Sequence, residues 1–571
     1  MAEKGRHANK PTGLFYRDLA LMILGVFLVG ATVFFLLFLL PDDGTSESTA
    51  SSGSSTGSTE ALREETTSSE TSMTCWTSQT AGQPGPITLD ESTEELGLID
   101  PLIGLHAHAA AFGDTDGDNE PDMLIGTFGD RPPENYQVRG ATGPAPDQLL
   151  MSTTGLSSSD LLGEELGRTS GGLIADLDGD GDDDLVLIRN AGISRQSVIP
   201  SRIYENKGGG QFLASEFLPV DFLGRTPAVA DFDGDGLLDL YVSEDKFGDR
   251  GGLLLRNGGG LEFEDVTAGS GLEGVFALGA TAADLNGDSR PDLVTSRNIF
   301  VNQGGMIFTD VTPPGFLAEP QGNEDDPAGV AIGDLNRDGI PDLVLGQHNR
   351  LTVETDATAP IRLFVGTGAD SDGNPQFEEV PSAESGLTPL PTLAPHIHIA
   401  DMDNDGWPDI ITSASASDGT EPAIFTNTGE GGLQFEAPAG LGSDQYWVGS
   451  PIVDFNQDGK LDVFALEWEP SIPSLMFLGA GESGHWLEVS VDGSNRGVGA
   501  LVTATGGDGG IIGVQEIGVG GGYASGHMPV AHFGLGTETT VDVTIQMPDG
   551  ELVTLDGVEA DQHLRWPNGC G

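Results

Sequence analysis

The sequence predicts an all-β fold: a seven-bladed β-propeller, a small C-terminal β domain after it, and one N-terminal transmembrane helix before it. Three observations lead there. An Asp-rich pattern of nine residues recurs seven times, short apolar segments flank each copy, and a charge-free run of 22 residues lies near the N-terminus. Composition agrees: 85 glycines and only 6% aromatics suit many short strands joined by tight turns.

The N-terminal run, residues 19–40, reads LALMILGVFLVGATVFFLLFLL, and about 20 apolar residues suffice to cross a bilayer as a helix. Lys4, Arg6, Lys10 and Arg17 precede it, and Asp42 and Asp43 follow. The positive-inside rule then leaves residues 1–18 as a cytoplasmic tail and puts the rest outside, in a periplasmic or extracellular space. A cleaved signal peptide is the rival, but its apolar core is shorter and ends in a small-x-small site, whereas PDDG follows here. Residues 41–97 read as a flexible Ser/Thr-rich stalk, because the Ser, Thr, Gly and Glu that fill most of it bury too little to offset ordering entropy.

The repeats occupy residues 98–482. Their pattern is Asp-x-Asp/Asn-x-Asp-x-x-x-Asp, with starts 62, 55, 53, 50, 67 and 53 residues apart. The oxygen-bearing positions are Asp114, Asp116, Asp118 and Asp122; Asp176, Asp178, Asp180 and Asp184; Asp231, Asp233, Asp235 and Asp239; Asp284, Asn286, Asp288 and Asp292; Asp334, Asn336, Asp338 and Asp342; Asp401, Asp403, Asp405 and Asp409; and Asp454, Asn456, Asp458 and Asp462. Calcium takes six to eight oxygens, and a tight loop can aim side chains 1, 3, 5 and 9 inward with a carbonyl from position 7. Up to seven Ca2+ ions are expected. Position 6 is Asn119, Gly181, Gly236, Ser289, Gly339, Gly406 or Gly459, where a sharp turn favours positive φ. An ordinary Asp-Gly turn would not need four fixed oxygens. An EF-hand would need Glu at position 12, which here is Ile125, Leu187, Val242, Thr295, Leu345, Thr412 or Ala465.

Strand-like segments flank the loops, such as GGLIAD before and DLVLI after the second. Each repeat then adds an apolar strand, a Gly/Asn turn and another strand, as in RIYENKGGGQF (202–212) and LLLRNGGGLEFEDV (253–266). Four strands per unit of about 50 residues make a propeller blade. These repeats resemble the FG-GAP/VCBS-type repeats of integrin α-subunit propellers and bacterial surface proteins. The resemblance implies calcium loops that stabilise blades rather than catalyse. One carboxylate fewer at Asn286, Asn336 and Asn456 should weaken those sites.

Residues 483–571 read as a small β domain, with strand alternation in WLEVSV, ALVTAT and VDVTIQM. Asn495, Arg496, Gly497, Gly499 and Ala500, then Gly520–Gly522 with Tyr523 and Ser525, then HFGLG (532–536), and Pro548 with Gly550 carry a resemblance to the ASPIC/UnbV domain of cartilage-acidic-protein-like (CRTAC-type) proteins. Met547 stands where that family usually has Trp.

Other candidates compete with plainer readings. His106 with His108 and His396 with His398 alternate on predicted innermost strands, so each pair faces one side, toward a propeller channel. Transition-metal binding there competes with hydrogen-bonded channel or core histidines. His485 and His532 lie in the small domain, and Ser525 with His532 lacks a GxSxG elbow. GVGGGYASG lacks the P-loop lysine and reads as a turn. Cys75 and Cys570, the two cysteines, could form a disulfide in an oxidising compartment.

A net charge of -65 excludes nucleic acid as a natural partner. The expected function is a membrane-anchored, non-enzymatic, calcium-binding scaffold for a protein or glycan. The alternative is an extracytoplasmic enzyme acting on a polysaccharide or small molecule through the channel or the C-terminal domain. A purely structural envelope role is a third reading.

Overall fold

The computed structural model describes residues 73–569, apart from short segments at 138–140, 142, 153–156, 159, 193–198, 318–325, 349–359, 390–395, 414, 417–422, 430–432, 438–444 and 493–494. The expected tail and membrane span (1–40) lie outside the described residues, and among these no helix is long and apolar enough to cross a membrane.

The described chain is all-β, and each Asp-rich segment is the turn between two antiparallel strands of a separate sheet. In the third sheet, Gly224–Ala230 leads into the loop and Asp239–Glu244 leaves it; Leu253–Asn257 and Phe263–Asp265 follow in spatial order. The register is the same in all seven. The residue before the loop pairs with the Asp at position 9: Gly113 with Asp122, Ala175 with Asp184, Ala230 with Asp239, Ala283 with Asp292, Gly333 with Asp342, Ala400 with Asp409 and Val453 with Asp462. Every loop thus opens from a hydrogen-bonded strand pair that fixes its ends. Apolar faces of neighbouring sheets share cores; Val186, Ile188, Leu240 and Val242 lie in one of them. First strands of successive sheets adjoin, and Ala107–Gly113 also meets Gln445–Gly449 and Asp462–Glu467, so the series closes on itself in a propeller-like ring.

Residues 73–97 depart from the expected stalk. Thr88–Glu91 is the outer strand of the last sheet, pairing with Leu475–Ala480. Thr74–Thr77 joins the C-terminal domain, pairing with Gln562–Trp566. Both strands are only four residues long. They are held by backbone pairing to distant strands and by single side chains, Leu89 in a core shared with Val463 and Phe477 and Trp76 against His563. Cys75 is disulfide-bonded; Cys570, the one other cysteine, lies outside the described residues.

The C-terminal domain packs two four-stranded sheets face to face around Leu487, Val502, Phe533, Val543 and Leu564. Its glycine-rich segment is indeed a hairpin, but not a free one. Gly520–Gly521 and Ser525–Gly526 pair with each other, and Ser525–Gly526 runs parallel to Ala110 and Ala111 of the first sheet. Gly522 bridges to Val330 of the fifth sheet. The hairpin therefore occupies the middle of the ring. Gly522, at φ 69°, has no room for a side chain, since a Cβ would sit 2.5 Å from His396 Nε2.

Candidate metal centre

The loops share one hydrogen-bond plan, clearest in the third. Asp231 Oδ1 accepts the N–H groups of Gly234 (2.8 Å) and Asp235 (3.0 Å), and Oδ2 accepts that of Gly236 (2.8 Å). Asp239 closes the loop: Oδ2 accepts from Phe232 N at 2.9 Å and Oδ1 from Asn257 N at 2.8 Å. Positions 4 and 6 both adopt positive φ, including Asn404 and Ser289. Position 6 was expected to do so. Position 4 was not, although Gly117, Gly179, Gly234 and Gly287 signalled it.

This plan presses acidic side chains together. Three carboxylates come within 4.8 Å of one another at Asp114, Asp116 and Asp118; at Asp176, Asp178 and Asp184; at Asp231, Asp233 and Asp239; and at Asp401, Asp403 and Asp409. In the second, third and sixth loops the meeting positions are therefore 1, 3 and 9. Position 5 turns aside: Asp180, Asp235 and Asp405 each accept the N–H of position 7. The first loop gathers positions 1, 3 and 5, while Asp122 binds Thr115 and Ser152. In the other three loops Asn286 and Asn336 donate to Asp288 and Asp338, and Asn456 accepts from Asp458 N.

The donor set fits a hard cation such as calcium. Oδ1 of Asp178 and Oδ1 of Asp233 are buried and have no hydrogen-bond partner. Burial pushes Asp239, Asp292 and Asp342 up to about 7, and Asp184 and Asp462 up to about 8. Desolvation penalises the charged form, and a bound cation would reverse that penalty.

An asparagine that the sequence reading overlooked ties neighbouring loops together in four of the seven sheets. Asn206, Asn257, Asn302 and Asn427 end the third strands of their sheets, and each Nδ2 donates to the preceding loop: to Thr115, Leu177, Phe232 and Leu335 carbonyls, at 2.7 to 3.2 Å. Its signal was visible in the recurring YEN, LRN, FVN and FTN that open the hairpin turns.

His108, His396 and His398 lie beside the central hairpin segment, whereas His106 packs against Trp468. His108 stacks on Phe128 and lies 3.3 Å from Tyr523 Oη of the central hairpin. His106 Nδ1 meets the Trp468 carbonyl at 2.6 Å. His396 Nδ1 accepts from Ser450 N at 3.2 Å, and its ring adjoins His398, which adjoins His527. Among the described residues no histidine joins a group of three potential metal ligands. Ser525 Oγ donates to the Tyr523 carbonyl, His485 pairs with Asp561 at 3.0 Å, and His532 lies between Glu488 and Asn404. Ser525 and His532 thus serve different neighbours.

The C-terminal domain sits on the loop face of the ring. Arg496 donates to the Gly181 carbonyl and ion-pairs with Asp183, Arg337 reaches the Ile511 carbonyl, and Glu516 accepts the Asp284 N–H at 2.9 Å.

Residues 491–569 match the ASPIC and UnbV family model, and residues 176–242 and 401–465 match that of the FG-GAP-like repeat. The chain carries FG-GAP-like repeats and an ASPIC/UnbV domain. Cartilage acidic protein 1 of Mus musculus is 26% identical over 462 residues, covering 73% of this chain and 68% of that one. Its Homo sapiens counterpart is 25% identical over 428 residues, covering 69% and 62%. The chain therefore spans about two thirds of the length of these relatives. Solved structures with similarity include the exotype rhamnogalacturonan lyase YesX (13% identity, TM-score 0.37, covering 65% of this chain and 72% of that one). The biofilm matrix protein Bap1 of V. cholerae is another (14%, TM-score 0.32, covering 84% and 62%). In this chain the ASPIC/UnbV domain holds both the central hairpin and the cover over the FG-GAP-like loops.

Proposed function

We propose that this protein is a membrane-anchored, extracytoplasmic, non-enzymatic scaffold. Its seven sheets act as the blades of a calcium-stabilised propeller that presents a rigid surface to a protein or glycan. The observation that carries the calcium reading is the convergence of buried and half-buried carboxylates around the unpartnered oxygens of Asp178 and Asp233. The residues that would hold the ions are the Asp and Asn side chains at positions 1, 3, 5 and 9 of each loop. Bound calcium would neutralise these carboxylates and so stabilise the fold that alone builds the sites. Residues 19–40 supply the anchor, with the N-terminus cytoplasmic. The similarity to cartilage acidic protein 1 supports the scaffold reading.

The test is a thermal melt of the purified full chain in detergent, with calcium and then with chelator, alongside metal analysis. Several calcium ions per chain and a clear fall in Tm on chelation support the reading. No bound calcium and an unchanged Tm overturn it.

A second reading, an extracytoplasmic enzyme, draws support from a cavity of about 440 Å3 between the C-terminal domain and the ring. His398, His527 and Glu516 line it, and burial raises Glu516 to about 8 while lowering His527 to about 4. Perturbed groups converging on a cavity are a recognised mark of catalytic sites. Turnover of a saccharide abolished by Glu516→Gln would favour it.

A further inference from the structure

The C-terminal domain covers one loop far more completely than the others. The sixth loop, Asp401–Asp409, is the only one of the seven without an exposed residue. Asp401, Asn404 and Asp409 are 3%, 1% and 1% exposed, and Asp403 and Asp405 are half-buried. Gly484 N donates to the Asp403 carbonyl at 3.1 Å and Gly536 N to the Asn404 carbonyl at 2.8 Å. The Asn404 side chain is held on both ends. Its Nδ2 donates to the Gly459 carbonyl and Ser483 Oγ, each at 2.8 Å, and its Oδ1 accepts from His532 Nε2 at 2.8 Å. His532 in turn is held by Glu488 at 3.2 Å.

The fit over the loop is close. A Cβ on Gly534 would lie 1.9 Å from Asp401 Oδ2, and one on Gly484 would lie 2.0 Å from the Asn404 carbonyl oxygen. Beneath this cover Asp401, Asp403 and Asp409 stand within 4.8 Å of one another. The Arg337 charge acts on Asp405, but among the described residues no Lys or Arg forms an ion pair with Asp401, Asp403 or Asp409. Anions buried together without a counter-ion are strongly unfavourable.

We infer that the C-terminal domain locks a cation into the sixth loop, making it an occluded calcium site whose ion leaves only when the domain lifts. This inference rests on the calcium reading above and adds a division among the sites. Ions in the open loops exchange with solvent, whereas the sixth is trapped by Gly484, His532 and Gly534. Binding and docking are then reciprocally coupled: the ion favours the closed domain, and the closed domain retains the ion.

The experiment loads the full chain in detergent with radioactive calcium, counts bound ions, adds excess chelator and follows release. The expected result is two phases, with all but one ion lost rapidly and one retained at least a hundredfold longer. Asp403→Asn abolishes the slow phase, whereas Asp233→Asn removes one fast ion and leaves the slow one. His532→Ala speeds slow release about tenfold, the worth of one hydrogen bond. Gly534→Ala, if folded, moves the ion into the fast class. Calcium that binds but leaves in one phase, or a slow ion that survives Asp403→Asn, overturns the lock and leaves the calcium reading intact. No bound calcium before chelator is added overturns both.

Discussion

The third and sixth loops have the same four Asp positions and share most of their internal hydrogen bonds, yet they meet different surroundings. In the third, Gly234, Asp235 and Gly236 are exposed, and Arg256 reaches in from the neighbouring strand to Asp233 (2.5 Å) and Asp235 (3.1 Å). In the sixth, the ASPIC/UnbV domain packs against Asp401 and Asn404, and burial pushes Asp401 and Asp409 well above the usual carboxylate range. A ligand set can therefore be repeated while its setting is not. The nine residues set the oxygens a loop presents; what packs over it sets their exposure.

Four measurements would break or sharpen that contrast. The largest effect is expected from complete calcium removal, which should lower Tm by roughly 10 °C, each site contributing about 2.7 kcal/mol at a hundredfold excess over Kd. A smaller fall under brief chelation than under prolonged chelation would mark the sixth site's share. Next, in saturating calcium Asp401→Ala should cost about 3 kcal/mol in denaturant unfolding, because it breaks a buried ionic cluster. Asp231→Ala should cost about 1 kcal/mol, as for exposed hydrogen bonds. Equal costs would remove the distinction.

The third concerns pH. Asp239 and Asp403 are raised to about 7, and Asp184 and Asp462 to about 8. A carboxyl raised on folding contributes stability that is complete below its unfolded pKa and is lost as pH climbs through the folded value. Calcium-free protein should therefore lose Tm steadily from pH 5 to 8.5, and saturating calcium should flatten the profile. Asp239→Asn should remove part of the slope below about pH 7. The smallest effect is expected from Arg256→Ala. Freeing Asp233 and Asp235 from an exposed ion pair should tighten calcium at the third loop about two- to fivefold, measured by titration calorimetry, with no change at the sixth.

Much of this was legible in the sequence because it was local. Loop oxygens, flanking strands and hairpin turns all lie within about 50 residues, and seven copies made each visible. The strands of WLEVSV and VDVTIQM announced themselves by alternation. What stayed hidden depends on partners far along the chain. Thr74–Thr77 and Thr88–Glu91 are too short for any periodicity, and their partners lie hundreds of residues later. The glycines of the central hairpin have no side chains to betray an apolar face, so Gly522 beside His396 could be found only in three dimensions. Likewise DMDNDGWPD resembles its sister loops, and nothing in it reveals that HFGLG covers it.

The pairing of Thr74–Thr77 with Gln562–Trp566 also governs timing. Thr74 faces Leu564, so one of the first described strands to be synthesised must wait for nearly all of the chain before it finds its partner. The last sheet waits almost as long, because Thr88 needs Ala480. Local hairpins can form as they emerge, but such distant pairings close slowly. On the ribosome the ring must therefore remain an open arc until Leu475–Ala480 emerges to pair with Thr88–Glu91, and Thr74–Thr77 waits longer still, for the end of the final domain.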